Sequence, residues 1–369
     1  MKKNSNCKGH RNHKSNKRFR LCFLMTVQFL FLSSCASDYL KYKGEKDIFK
    51  NTDFEQKVQI KPEVPSEVKK DVVNPPAIQA PVIIKTKAPN ENSKRVQTPA
   101  KKMAKKSIAV PVLNSRLPDI EDKEGFEGTS RRPKVDPFLE NETVIHSVSY
   151  FSAQAGKLTL KVKPFVEVNG RKSYNFLTDL KTAGIFSNFY SVDDQVETYV
   201  DYEDLIPHVF KLHIKESGQL REGQSYFDHK TLKASYWEHK YTEKKGHEEK
   251  KQEWDIQPFS QNAFSGIFYM RIFQWEIGKE YSFRVADDQK NIIFKATALK
   301  KEKLSTAAGE FDAIQIKAQV ASRGALEQAG DLYFWISDDE HKYVLRIEAK
   351  IKIGTLVSEV IEIKPGQKK

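Results

Sequence analysis

The carboxyl-terminal part of the chain alternates apolar and polar residues with a period of two, the mark of strands with one buried and one wet face. In GKLTLKV, Leu158, Leu160 and Val162 fall on one side, and Lys157, Thr159 and Lys161 on the other. VFKLHIK gathers Phe210, Leu212 and Ile214, and FDAIQIKAQV gathers Ile314, Ile316, Ala318 and Val320. VLRIEAKIKIG repeats the pattern with Leu345, Ile347, Ala349, Ile351 and Ile353. EYSFRV and IIFKATALK flank the polar ADDQKN, which predicts a hairpin. About ten to twelve such strands predict a β-rich domain, a large twisted antiparallel sheet that is curled or barrel-like. Its expected span is residues 139–365.

One segment breaks the period. In SQNAFSGIFYMRIF, Phe264, Ile267, Phe268 and Ile272 recur at helical spacing. This predicts a helix from Gln261 to Phe273, capped by Ser260 and packed on the sheet or plugging it.

The amino-terminal third has neither period. Residues 1–20 carry eight Lys/Arg and no acid, and LCFLMTVQFLFL (21–32) is apolar but for Thr26 and Gln28. Twelve helical residues rise about 18 Å, short of the roughly 30 Å hydrocarbon core, so the segment reads as a signal-peptide core. Leu32-Ser33-Ser34-Cys35 then resembles the bacterial lipobox, whose cysteine takes a diacylglyceryl group on its thiol before cleavage. Cys35 is the expected lipidation site and residues 1–34 the removed leader. Several acyl chains at about 0.8 kcal/mol per buried methylene make a lasting anchor. Ala36 follows, not the Asp that resembles an inner-membrane retention signal, so the expected address is the periplasmic face of the outer membrane. Residues 35–138 read as a disordered tether: they hold 11 of the 15 prolines and lack aromatics between Phe54 and Phe126. Within it, DYLKYKGEKDIFKNTDFEQK (38–57) has enough apolar residues for a short helix near the membrane or against the domain.

Charge follows the same division. The formal +13 is concentrated in leader and tether, since residues 139–369 carry 33 Lys/Arg against 34 Asp/Glu. A nucleic-acid-binding face is not expected of such a domain. After Cys35 there is no cysteine, which removes thiol catalysis, disulfides and thiolate metal sites.

Several stretches together resemble the bacterial family called domain of unknown function 3108. These are VSYFSAQAGKLTLKV with Gly156, FYSVDDQVETYVD, LIPHVFKLHI, FSGIFYMRIF, TAAGEFDAIQIK and FWISDDEHKYVLRIEAKIKIGTL, which cover about residues 145–360 in order. The resemblance implies an exported or envelope protein with a β-rich fold and carries no activity.

Candidate chemistry is sparse. The seven histidines of the domain show no metal-ligand spacing, and no nucleophile elbow, phosphate loop or dinucleotide fingerprint is present. Asp193-Asp194 and Asp338-Asp339-Glu340 could supply acid–base pairs, but both read as turn residues. Arg271, on an otherwise apolar helix, either meets the helix dipole near the C-terminus or stands at the mouth of a cavity facing a ligand anion. In the second reading Phe268 and Trp275 line the cavity beside it. The sequence thus predicts a non-enzymatic envelope protein without cofactor or metal, anchored to a membrane by lipid. It would bind an apolar envelope component or a protein partner. A structural protein spanning the periplasm through its tether is the alternative, and a hydrolase built on the acidic clusters is a remoter one.

Overall fold

The computed structural model describes residues 51–63, 132–322, 325–351 and 354–367. The expected leader, Cys35 and most of the expected tether lie outside the described residues.

A short helix, α1 (Thr52–Lys57), and a short strand, β1 (Ile60–Pro62), come first. A meander follows: β2 (Thr143–Tyr150), β3 (Ala153–Val168), β4 (Arg171–Thr182), β5 (Val192–Asp201), β6 (Pro207–Glu216), β7 (Gln219–Asp228), β8 (Lys233–Thr242) and β9 (Gly246–Asp255). The helix α2 (Ala263–Tyr269) separates it from a second meander. That consists of β10 (Glu280–Asp287), β11 (Lys290–Thr306), β12 (Gly309–Ser322), β13 (Ala325–Ser337), β14 (Val344–Ile351) and β15 (Gly354–Lys364). Every neighbouring pair is antiparallel, and β15 pairs with β2, so one sheet runs from β10 through β15 and β2 to β9. The expected β-rich fold is present, with fourteen strands on that path where the alternation predicts about ten to twelve.

The sheet wraps around α2. Phe268 stacks on Phe176 of β4 with ring centroids 4.2 Å apart, while Tyr269 meets Phe283 of β10 edge-on at 5.2 Å. Those strands stand eight places apart in the sheet, so a single helix can touch both only if the sheet curls around it. The same wrapping buries Met270, Ile272 and Phe273 among Val162, Ile314, Ile316 and Val344. The helix is shorter than its apolar spacing predicts: after Tyr269 the chain tightens into a 3-10 turn through Ile272. Its cap is Asn262, not Ser260. The Asn262 side chain accepts from Phe264 N and Ser265 N, and Ser265 Oγ accepts from Asn262 N, a reciprocal capping box.

The first and last strands of the path, β9 and β10, make no ladder with each other among the described residues. The chain between them fills part of this seam. Gln261 N donates to Arg284 O and Ala286 N donates to Gln261 O, both at 2.8 Å, and Gln261 Nε2 reaches Leu205 O at 2.7 Å. Side chains bridge the rest: Asn291 Nδ2 donates to Asp255 O, and Lys250 faces Asp288 at 3.5 Å. β9, GHEEKKQEWD, is charged on both faces, which suits an edge strand that must not pair with another chain.

The expected tether boundary at residue 138 needs correction. Residues 51–63 are part of the domain: β1 pairs with the end of β3, Ile60 opposite Val168 and Pro62 opposite Val166. Phe54 and Val58 are buried on the outer sheet face with Val168, Tyr199, Val209 and Trp237, and Phe54 meets Trp237 edge-on at 6.0 Å. Asn51 caps α1 through Phe54 N and donates to Gln224 Oε1. Residues 132–138 are docked as well. Arg132 pairs with Asp136 at 2.6 Å, donates to Tyr174 Oη at 3.0 Å and lies over the Tyr202 ring. The apolar content of TDFEQKV (52–58) is small, but it matches a patch of outer face that would otherwise be wet.

Candidate functional site

The concave face of β6–β9 does not reach α2 along its whole length, and a cleft of about 410 Å³ remains between them at the seam. Strand register sets its wall. One cross-strand row runs Phe210, Ser225, Tyr236, Gln252, and the next runs Leu212, Gly223, Glu238, Lys250. Phe264 at the start of α2 closes one side by stacking on Phe210 at 5.7 Å, and Phe227 and Trp254 close the end. Gly223 makes room here: a Cβ would stand 2.9 Å from the Tyr236 hydroxyl and 3.3 Å from Leu212 Cβ, so the Tyr236 ring would have to move. The absence of a Cβ lets that ring lie across β7 inside the cleft. Ala286, Asp287 and Asp288 of β10 and its turn form the opposite lip.

The wall grades from apolar to charged. Phe210, Leu212, Ile214, Phe227 and Phe264 make the floor, while Arg221, Glu238 and Lys250 stand toward β8 and β9. Tyr236 Oη donates to Glu238 Oε2, and burial, first, with that carboxylate pushes the phenol well above its ordinary range. Arg221 Nε lies 3.7 Å from Glu238 Oε2, an ion-pair distance without a hydrogen bond. Arg221 Nε, Gln252 Oε1 and Trp254 Nε1 are buried with no protein hydrogen-bond partner, and all three residues line the cleft. Beside Ile214 on the same face, Asp194 has its carboxyl raised to about 6 by burial and by the Glu216 charge.

The residues singled out from the sequence lie elsewhere. Arg271 does not stand at a cavity mouth. It is 3% exposed and paired with Glu142, which is 1% exposed, through Nη1–Oε1 at 2.5 Å and Nη2–Oε2 at 3.1 Å. Its remaining donors reach Pro137 O and His341 O, and the guanidinium sits between the rings of Phe138 and Tyr343. Phe268 is fully buried against Phe176 and has no access to ligand. Trp275 is buried against Tyr281 at 4.6 Å and donates to Met270 O. Its edge borders an open, charged recess of about 490 Å³ that also holds Asp338, Asp339 and Glu340. There Asp339 Oδ1 accepts from Ser337 Oγ, His341 N and Lys342 N, so it staples the β13–β14 turn, as the turn reading expects. Asp193 and Asp194 lie within β5, not in a turn. Asp193 faces Lys181 at 3.2 Å, and its neighbour points to the opposite face. Among the described residues no three His, Cys, Asp or Glu side chains gather as metal ligands, and no helix is long and apolar enough to cross a membrane.

The comparison with family models gives a match over residues 146–361 to "Protein of unknown function (DUF3108)", more than half of the chain. The chain belongs to the DUF3108 family. This DUF3108 segment runs from the middle of β2 into β15, so it contains α2, the seam and the whole cleft wall, but not α1 and β1. No curated protein matches the chain. Among solved structures, a β-barrel-like protein of domain of unknown function DUF1849 from Brucella abortus is similar at 9% identity and a TM-score of 0.40. The likeness covers 61% of this chain and 98% of that one. An inferred exported protein with a YmcC-like fold from Bacteroides fragilis is similar at 9% identity and a TM-score of 0.28, covering 63% and 99%. An inferred lipoprotein from Parabacteroides distasonis is similar at 11% identity and a TM-score of 0.28, covering 62% and 99%.

The sequence reading missed the residues that line the cleft because their chemistry is unremarkable one at a time. Phe264 carries the helical period and Leu212 the strand period, both core signals. The usable hint is TLKASYWEHK paired with HEEKKQEW: aromatic residues on a strand whose partner is otherwise charged imply one face that is neither core nor plain surface.

Proposed function

We propose that the protein is a binding module of the bacterial cell envelope, held to a membrane by lipid on Cys35, whose seam cleft takes an apolar or amphipathic envelope molecule. It binds without catalysing and needs no cofactor. The observation that carries this reading is the cleft: its volume falls within the roughly 300–1,000 Å³ of small-ligand sites. Its floor is apolar, and Arg221, Gln252 and Trp254 set polar groups along its length. An acyl chain or ring on the Phe210–Phe227–Phe264 floor, with a polar group near Gln252 and Trp254, satisfies both halves of the wall. Buried polar atoms left without partners cost about 1–3 kcal/mol each, so a ligand that supplies them gains affinity beyond its apolar area.

The anchor adds the location. With Cys35 acylated the module stands at the periplasmic face of the outer membrane, next to a store of acyl-bearing molecules. Native mass spectrometry of the full chain extracted in mild detergent tests the reading. The expected result is a covalent acyl mass on Cys35 and, separately, one non-covalent adduct per chain. The adduct should disappear in the Phe264→Ala, Trp254→Ala double variant. Parent protein that carries no adduct, and takes none up when acyl-bearing lipid is supplied, contradicts the binding reading whatever the state of Cys35.

A further inference from the structure

Five of the eight exposed large apolar side chains among the described residues cluster at one end of the sheet. Phe151 and Phe189 are each 72% exposed, and Tyr190 is 46% exposed. Leu180 and Leu356 complete the set. Sheet order explains the proximity. The β2–β3 turn carries Phe151, the β4–β5 connection carries Phe189 and Tyr190, and Leu356 stands opposite Tyr150 at the start of β15. These belong to consecutive neighbours β15, β2, β3, β4 and β5, and the connections all lie at the same end of the meander.

Folding alone does not account for Phe151. It and Ser152 have φ of 48° and 60°, the left-handed pair of a two-residue hairpin turn that Asn and Gly favour. A bulky side chain in that conformation is strained, and Phe151 recovers little by packing: its ring touches Tyr150 and lies over Gly354, yet it stays 72% exposed. Beside this cluster Tyr190 borders a recess of about 500 Å³ in which Lys240, Lys244 and Lys245 of the β8–β9 hairpin outnumber Glu243 and Glu248, the latter paired with Lys245 at 3.3 Å. Aromatic residues on turn tips flanked by lysines suit the lipid headgroup region, where rings sit among headgroups and ammonium groups meet phosphates.

We infer that this end of the sheet is a contact surface for an anionic phospholipid bilayer, with Phe151, Phe189 and Tyr190 entering the headgroup layer. The residues project from convex turns, a shape that suits a deformable surface better than a preformed protein pocket. The chain's path agrees. α1 starts at Asn51, beside Gln224 in the middle of β7, and runs toward Lys57 beside Ser235, so its amino end faces the aromatic end of the sheet. The 15 residues between Cys35 and Asn51 reach at most about 50 Å, enough for that end to rest on the membrane that holds the anchor; this last step rests on the Cys35 reading.

The absence of cysteine after Cys35 makes the test clean. Phe151→Cys, Phe189→Cys and, at the opposite end, Lys230→Cys in the full chain are labelled with an environment-sensitive fluorophore. The labelled chains are then placed on phosphatidylethanolamine–phosphatidylglycerol vesicles containing doxyl lipid. At least twofold stronger quenching at positions 151 and 189 than at 230 is expected. Equal quenching at the three positions overturns the inference. So does a fluorescence shift that follows protein concentration without vesicles, which would mark a second copy as the occupant. The parent chain should take no label, because acylation blocks Cys35. A labelled parent defeats the anchor reading alone. Vesicle co-sedimentation of that unlipidated chain against Phe151→Ala/Phe189→Ala then decides the surface: about tenfold weaker binding supports it, and unchanged binding overturns it.

Discussion

His146 sits on β2 with no exposed surface, and burial pushes its imidazole down to about 4. Its unfolded-state value is 6.5, so the unfolded chain binds the proton more readily and stability falls as pH drops from 6.5 toward 4. Between pH 7 and pH 5 this residue alone removes about 2 kcal/mol. His146→Leu should flatten that slope by the same amount in urea denaturation at the two pH values. A variant slope equal to the parent's would mean that the imidazole is not buried neutral. Arg271 and Glu142 form the other decisive residue pair. Removing one charge strands its partner, so Arg271→Ala should cost about 3–5 kcal/mol, whereas Arg271→Met with Glu142→Leu should recover most of it. A double variant as unstable as the single one would show that the backbone contacts to Pro137 and His341 carry the site. The sequence could mark Arg271 as odd, but its partner lies 129 positions away in the chain. No local pattern announces that pairing, so the ligand-facing reading and the dipole reading both missed it.

Among the elements, strands with one wet face were legible and those at the edge were not. Leu212 and Ile214 in β6, or Ile314 and Ile316 in β12, face a core and alternate accordingly. β9 has water on much of both faces, so GHEEKKQEWD carries no period that would mark it as a strand. Gly156 is a different kind of signal. A Cβ there would stand 2.7 Å from Lys181 O, so the family-like glycine records a close approach of β3 to β4. α1 was legible only as one alternative for residues 38–57, and β1 not at all, for an energetic reason: six helical residues do not hold a helix in water, and α1 exists because Phe54 finds Trp237 and the outer face of β5–β8. This docking fixes the chain to the domain on both sides of the expected tether, through residues 51–63 and again from Arg132. Cleavage at a protease site inserted after Pro89 should therefore leave both fragments eluting together. Phe54→Ala should release the amino-terminal fragment. Separation of the parent fragments would restore the tether reading.

For the domain as a whole, the organising feature is a sheet whose two ends meet at a seam that α2 only partly fills. On the β2–β4 and β10–β14 side the helix completes a continuous core. On the β6–β9 side it stops at Phe264 and leaves the cleft open. A curled sheet with a helix inside was predictable from the periods. Which side the helix would fill was not, because that depends on how α2 is held by the Asn262 cap and by Gly266, where a Cβ would stand 3.2 Å from the Phe283 ring. The central claim is that the unfilled side binds an apolar group. It is tested most directly by titrating a fluorescent long-chain acyl probe into the full chain and into Phe264→Ala/Trp254→Ala. The account predicts one saturable site per chain in the parent and at least tenfold weaker binding in the variant, with the variant's fold retained by circular dichroism. No saturable binding by the parent, or equal binding by both, would contradict it.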